Sequence, residues 1–140
     1  MDFITLSDSF YDAHANCKEI LQKRTRPYAC LTVRVDGVVF AIPFRHHIAH
    51  NHAFITFGQQ GLDYTKAVVI SDRSDIGKTG VQIESADYQA LKGREALIAN
   101  GMRKYVQLYK KAKRYPNSKH YANIISFSSL KYFEGSLHIQ

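Results

Sequence analysis

Arg45, His46, His47, His50 and His52 crowd into one short stretch, directly after the apolar run Val38-Val39-Phe40-Ala41-Ile42-Pro43-Phe44. Four of the chain's seven histidines lie there. Histidine titrates near neutral pH, so proton transfer is cheap at this point. Arg45 can grip a phosphate bidentately, and Lys66, which opens a later apolar run, can add a point charge. Together these side chains match what breaking an RNA phosphodiester demands. A base takes the 2′-hydroxyl proton, a cation steadies the charge on the phosphoryl oxygens, and an acid protonates the departing 5′-oxygen. Histidines can serve as both base and acid, each worth roughly 10² to 10⁴-fold. Arg45, His46, His47 and Lys66 are therefore the candidate catalytic residues.

Plainer readings compete. His46 and His47 can be surface loop histidines, and Lys66 a solvated charge that discourages edge pairing. His46 and His50 are four apart and His50 and His52 two apart, both usable spacings for metal ligands, with Asp63 as a distant third. The stretch carries no neighbouring glutamate and no cysteine, so the expectation is no metal and no cofactor. A non-catalytic RNA-binding module is the third alternative. In that reading the basic helices alone bind RNA and the histidine cluster is coincidence; in the nuclease reading Tyr28 and His50 join the RNA-binding candidates, although a tyrosine opening a strand is more often core or rim.

Composition favours a polyanionic partner. The chain of 140 residues has the size of one domain, residues 1–140, and carries a net charge of +7. Residues 86–120 hold nine lysines and arginines against two acids, and the rest of the chain balances to zero. The densest runs are Arg103-Lys104 and then Lys110, Lys111, Lys113 and Arg114. A basic segment on a neutral body fits phosphate contacts, although it can also be only a solvated helix face. No window approaches the ~20 apolar residues of a membrane span. The first residues carry acid where a secretory signal carries base. Two distant cysteines, Cys17 and Cys30, form neither a zinc cage nor a disulfide scaffold, and the expected location is the cytoplasm.

The elements that must hold these groups follow from local pattern. Residues 3–6 predict a short strand, and Ser7 caps a helix over residues 8–22. Asp36-Gly37 separates two β-branched runs, residues 28–35 and 38–44, and predicts a tight hairpin. Further strands are expected over 52–57, 67–70 and 81–83. From Ser85 the period turns helical, with Tyr88, Leu91, Ile98, Met102, Tyr105, Tyr109 and Ala112 on one stripe. Gly93 and Gly101 predict a break into a short and a long helix. Ser118 caps a last helix reaching about Phe133. The class is α+β with a mainly antiparallel sheet.

Five features now occur together. These are a strand-Ser-Asp-helix opening, an Asp-Gly hairpin, the Phe-Ala-Ile-Pro-Phe-Arg-His-His strand end, the Gly-Leu-Asp-Tyr-Thr-Lys-Ala-Val-Val-Ile run, and a basic terminal helix pair. This combination resembles the toxins of type III toxin–antitoxin systems, the ToxN, AbiQ and TenpN group, and most of all the TenpN branch. It covers nearly the whole chain in element order and is specific at residues 42–47 and 61–70.

The resemblance implies a strongly twisted, partly open antiparallel β-barrel similar to MazF and Kid, with surrounding helices. It implies a metal-independent endoribonuclease toxin of phage defence, cutting cellular and phage RNA to a 2′,3′-cyclic phosphate. It also implies a repeated pseudoknot RNA antitoxin that the toxin processes and then binds along a basic groove, in a cyclic protein–RNA assembly and with no membrane. Pro43 matches the proline ending the second hairpin strand of ToxN. The threonine, serine and lysine that follow in ToxN are replaced by Phe44-Arg45-His46-His47-Ile48, so their roles are redistributed here. A lysine before the first hairpin strand of ToxN falls at or near Arg26, which joins the expected RNA-binding residues.

Overall fold

A computed structural model describes residues 1–22 and 28–139. Asp36 and Gly37 take positive φ angles of 51° and 81°. A two-residue hairpin turn requires that conformation, and glycine reaches it without steric cost. The turn joins β2 (Cys30–Val35) to β3 (Val38–Arg45), in register from Val35 opposite Val38 to Cys30 opposite Pro43. A short β1 (Phe3–Ile4) pairs with the outer edge of β2.

The second edge of β3 is shared by two partners. β6 (Val68–Ile70) pairs with Val39, Phe40 and Ala41, while β5 (Gln60–Asp63) pairs with Phe44 and Arg45. Pro43 falls between those stretches. The Phe44 N–H donates to the Ala29 carbonyl at 2.9 Å, so successive alternation turns the Pro43 nitrogen toward the opposite edge. There β6 has ended and β5 has not begun, and a residue without an N–H loses nothing. β4 (Ala53–Phe57) completes the sheet against β5, with an irregularity between Ile55 and Phe57.

The strand order is β1-β2-β3-β5-β4, with β6 on β3, and every pairing is antiparallel. The class is α+β, as the sequence predicts, but the sheet does not close into a barrel. β1 and β4 remain its end strands. The strand expected over 81–83 does not form. β1 is only two residues long, and Val81 N–H donates to the Phe3 carbonyl at 3.0 Å without a ladder following. Residues 60–63, which none of the expected strands covers, form β5.

The helices are shorter or more broken than periodicity alone implies. α1 (Asp8–Ala13) starts at Ser7, whose hydroxyl accepts from Phe10 N–H at 3.1 Å. It ends at His14, whose ring Nδ1 bonds the Phe10 carbonyl at 2.8 Å and so competes for the helix's own acceptor. Separate turns then carry the chain to Ile20, which is buried, in place of helix to residue 22. The second helical region breaks at Gly93, where φ is +76°, into α2 (Ser85–Leu91) and α3 (Glu95–Arg114). Gly101 stays inside α3. α4 (Lys119–Phe127) begins at the Ser118 cap and stops six residues short of Phe133. Ser128 accepts from Leu130 N–H at 3.2 Å and starts a separate 3₁₀ turn, Ser129–Tyr132.

α3 supplies the main helical wall of the core. Ile98, Met102, Tyr105, Val106, Tyr109 and Ala112 are buried along one face, which packs on β2. Ile98 and Met102 have no exposed surface, and burying each contributes roughly 1.5–3 kcal/mol. Tyr88, expected on the same stripe, is instead 40% exposed, because the Gly93 break turns α2 away from that line. Among the described residues no helix is long and apolar enough to cross a membrane.

Candidate active site

Asp63 ends β5, and Arg45 ends β3 beside it. Asp63 has no exposed surface and accepts three hydrogen bonds. Its Oδ2 takes one from Arg45 Nη1 at 2.7 Å. Its Oδ1 takes Thr65 N–H at 2.9 Å and Thr65 Oγ1–H at 2.6 Å, and pairs with His50 Nε2 at 3.2 Å. The same carboxylate caps the 3₁₀ turn Tyr64–Lys66. A short polar side chain two residues ahead of an N–H is the usual way an aspartate fixes a turn. One buried charge therefore sets the strand end, the turn and the histidine loop at once.

His50 is committed at both ring nitrogens. Its Nδ1 accepts from His52 N–H at 3.0 Å, which puts the ring proton on Nε2, the atom facing Asp63. His52 is differently placed. Its ring stacks on His50 at 5.9 Å and leans on Tyr105 at 5.7 Å. Burial lowers its pKa, the nearby His50 and His120 lower it further, and Asp63 opposes them. His52 is thus biased toward the neutral imidazole, the form that accepts a proton.

Lys66 Nζ donates to the Phe127 carbonyl at 3.0 Å. Burial pulls its ammonium below the usual lysine range, with Asp63 opposing and Arg45 adding to the effect. Burial pushes the Tyr105 phenol up to about 12. Ser129 holds the far side of the same turn, donating to the backbone carbonyls of Thr65 and Ala67.

These groups line a cleft of about 340 Å³, near the low end of the roughly 300–1,000 Å³ typical of ligand sites. Arg45, His50, His52, Thr65, Lys66 and Tyr105 form one wall. His120, Asn123, Ile124 and Phe127, all from α4, form the other. The cleft holds two cations, two ring nitrogen carriers not tied to Asp63, and an apolar end.

The sequence-predicted residues divide accordingly. Arg45 and Lys66 line the cleft, as does His50, which the sequence assigned to RNA contact. His46 and His47 do not. They lie on an exposed bend beyond β3, their rings 6.5 Å apart, with His47 at φ +58°. Tyr28 borders a separate crevice of about 10 Å³ shared with Pro43 and Lys66. Arg26 lies outside the described residues. Arg103, Lys104, Lys110, Lys111, Lys113 and Arg114 all sit on α3 and away from the cleft. Lys110, Lys113 and Arg114 line a second groove of about 370 Å³ with His138 and Ile139. Arg103 Nε is 3.7 Å from Asp36 and Lys113 Nζ 3.4 Å from Glu134.

His52, Asp63, Thr65, Tyr105 and the α4 wall were not read from sequence as catalytic. Asp63-Tyr64-Thr65 carries a usable signal, an aspartate two residues before a threonine at a strand end. His120, Asn123 and Phe127 carry none, because only the tertiary fold brings α4 to the cleft. Among the described residues, no three histidine, cysteine, aspartate or glutamate side chains converge as metal ligands. No family model matches the chain, and neither a curated protein nor a solved structure matches it.

Proposed function

We propose that the cleft cuts RNA by internal transesterification. The observation that carries this reading is the placement of His52 and His120 in one cleft with Arg45 and Lys66. His52 Nε2 or Nδ1, whichever is unprotonated, takes the proton from a ribose 2′-hydroxyl. The freed oxygen attacks the adjacent phosphorus, forming the O2′–P bond as the P–O5′ bond breaks. His120, as the imidazolium, gives its proton to the departing 5′-oxygen. Arg45 and Lys66 steady the charge on the phosphoryl oxygens through the step. The products are a 2′,3′-cyclic phosphate and a 5′-hydroxyl, with no metal required. The proton-transfer roles therefore move from His46 and His47 to the histidines that line the cleft.

The family resemblance extends the proposal to a type III toxin acting in the cytoplasm and restrained by a folded RNA. The switch of β3 from β6 to β5 supports a curled sheet of the MazF and Kid kind, here left open. The second groove, with Lys110, Lys113 and Arg114, supports an RNA docking surface apart from the chemistry.

The test is a labelled transcript incubated with RNA-free protein in EDTA, with the product ends identified. Cleavage in chelator leaving a cyclic phosphate is the expected result. Complete loss of cleavage in EDTA, restored by zinc or manganese, would overturn the mechanism and favour a histidine-ligated metal hydrolase. Binding without any cut would favour the non-catalytic module.

A further inference from the structure

Phe127 has an unusual position for an aromatic side chain. It ends α4 with 64% of its surface exposed, yet its backbone carbonyl holds Lys66 inside the cleft. A large apolar ring left in water gains nothing for the fold. Its neighbours along the same wall are Ile124, which is buried, and Asn123, whose amide offers two donors and one acceptor. Across from them stand the rings of His52 and Tyr105. Beside its cations and histidines, the cleft thus has a second end, where α4 sets an aromatic ring and an amide four residues apart.

We propose that this second end is a nucleobase subsite that seats one unpaired base next to the scissile phosphate, stacked on Phe127 and read by Asn123. The proposal rests on the nuclease reading above for the phosphate, and names single-stranded RNA as its substrate class. Stacking an unpaired base on an aromatic side chain, with hydrogen bonds to its edge, is how proteins read single-stranded RNA. A duplex buries both faces of every base and could not present one here. The cleft's volume suits about one nucleotide, and the Lys66–Phe127 bond ties the base wall to the phosphate cation. Phe127 and Asn123 act as binding and specificity residues, and neither moves a proton.

The experiment uses the full chain and two readouts. The first is quenching of 2-aminopurine in a short, uncleavable 2′-O-methyl oligoribonucleotide, which reports stacking whether or not the protein cuts. The second is the map of cut sites in a mixed-sequence transcript. Phe127→Ala, which removes an exposed ring and leaves the backbone carbonyl in place, should lose the quench and bind the oligonucleotide roughly tenfold more weakly. Phe127→Tyr should keep both. Asn123→Ala should flatten base preference at one position beside the cut. Quenching that Phe127→Ala abolishes, in a protein that cuts nothing, would support the subsite while overturning the nuclease. Cleavage by the wild type with no quench, or with a cut map that neither variant alters, would overturn the subsite while leaving the nuclease intact.

Discussion

Asp63 accepts from Arg45 and Thr65 and pairs with His50 while having no exposed surface, so its loss should be felt in stability and in the proposed chemistry. Asp63→Ala strands the Thr65 N–H and frees Arg45, and should cost about 1–3 kcal/mol in chemical denaturation. A variant as stable as the wild type would show that the carboxylate does not organise the site. The proposed catalytic roles predict different behaviour. His52→Ala and His120→Ala should each lower the cleavage rate by roughly 10² to 10⁴-fold, with melting temperature little changed. Equal rates in either variant, at equal folded concentration, would remove that histidine from the mechanism. The pH profile follows from the sign of the His52 shift. A base must be neutral to work, and burial lowers the His52 pKa, so the neutral form persists to lower pH than for an ordinary histidine. Activity should rise with pH along an acidic limb whose midpoint lies below about 6.5, the unperturbed value. A midpoint above that value would point to another base. Arg45 and Lys66 are legible in the sequence because each flanks an apolar run. His52 reads as the start of a strand, and its proposed role depends on stacking and burial that no spacing encodes.

Gly101 illustrates how an element can override local propensity. A glycine inside a helix costs about 1 kcal/mol relative to alanine, yet α3 runs through it unbroken. The reason is Tyr64, whose hydroxyl donates to the Ile98 carbonyl at 2.9 Å and fills the space a Cβ at Gly101 would need. Tyr64 also follows Asp63 in the turn that carries Lys66, so this packing docks the site's turn on α3. Gly101→Ala should therefore destabilise by roughly 1–3 kcal/mol through overpacking, despite its better helix propensity. Combining it with Tyr64→Phe, which removes the crowding oxygen, should cost less than the two single changes together. A stabilised Gly101→Ala variant would show that the Tyr64 ring yields easily. Gly93 is the opposite case, with φ at +76° and a true helix break. From sequence the two glycines are equivalent candidates, since only the tertiary partner of Gly101 distinguishes them. The hairpin was legible because Asp36-Gly37 dictates its turn locally. The early end of α1 was not, because His14 bonds back to its own helix, and the branching of β3 depends on partners distant in sequence.

Across the whole molecule, α3 connects two surfaces that share no lining residue. Tyr105 borders the cleft, while Lys110, Lys113 and Arg114 line the basic groove roughly one and a half to two and a half turns further along the helix. Tyr109 and Lys113 both reach Glu134, which ties the chain's last segment against α3 and shapes that groove. Affinity for a long folded RNA and cleavage of a short one should then be separable. Replacing Lys110, Lys111 and Lys113 with glutamine should weaken binding of a structured RNA and flatten its salt dependence. Every phosphate that is no longer neutralised lowers the log–log slope by a little under one unit. Glu134 already offsets part of the Lys113 charge, so the expected change is about two units. Cleavage of a short single strand, which need only reach Arg45 and Lys66, should change far less. Binding measured between low and physiological salt, beside the cutting rate on the short substrate, gives both numbers from one preparation. If the triple variant keeps its affinity and slope, these lysines are a solvated helix face, and a folded RNA must dock elsewhere. If the short-substrate rate falls as steeply as the affinity, the groove and the cleft belong to one continuous binding path.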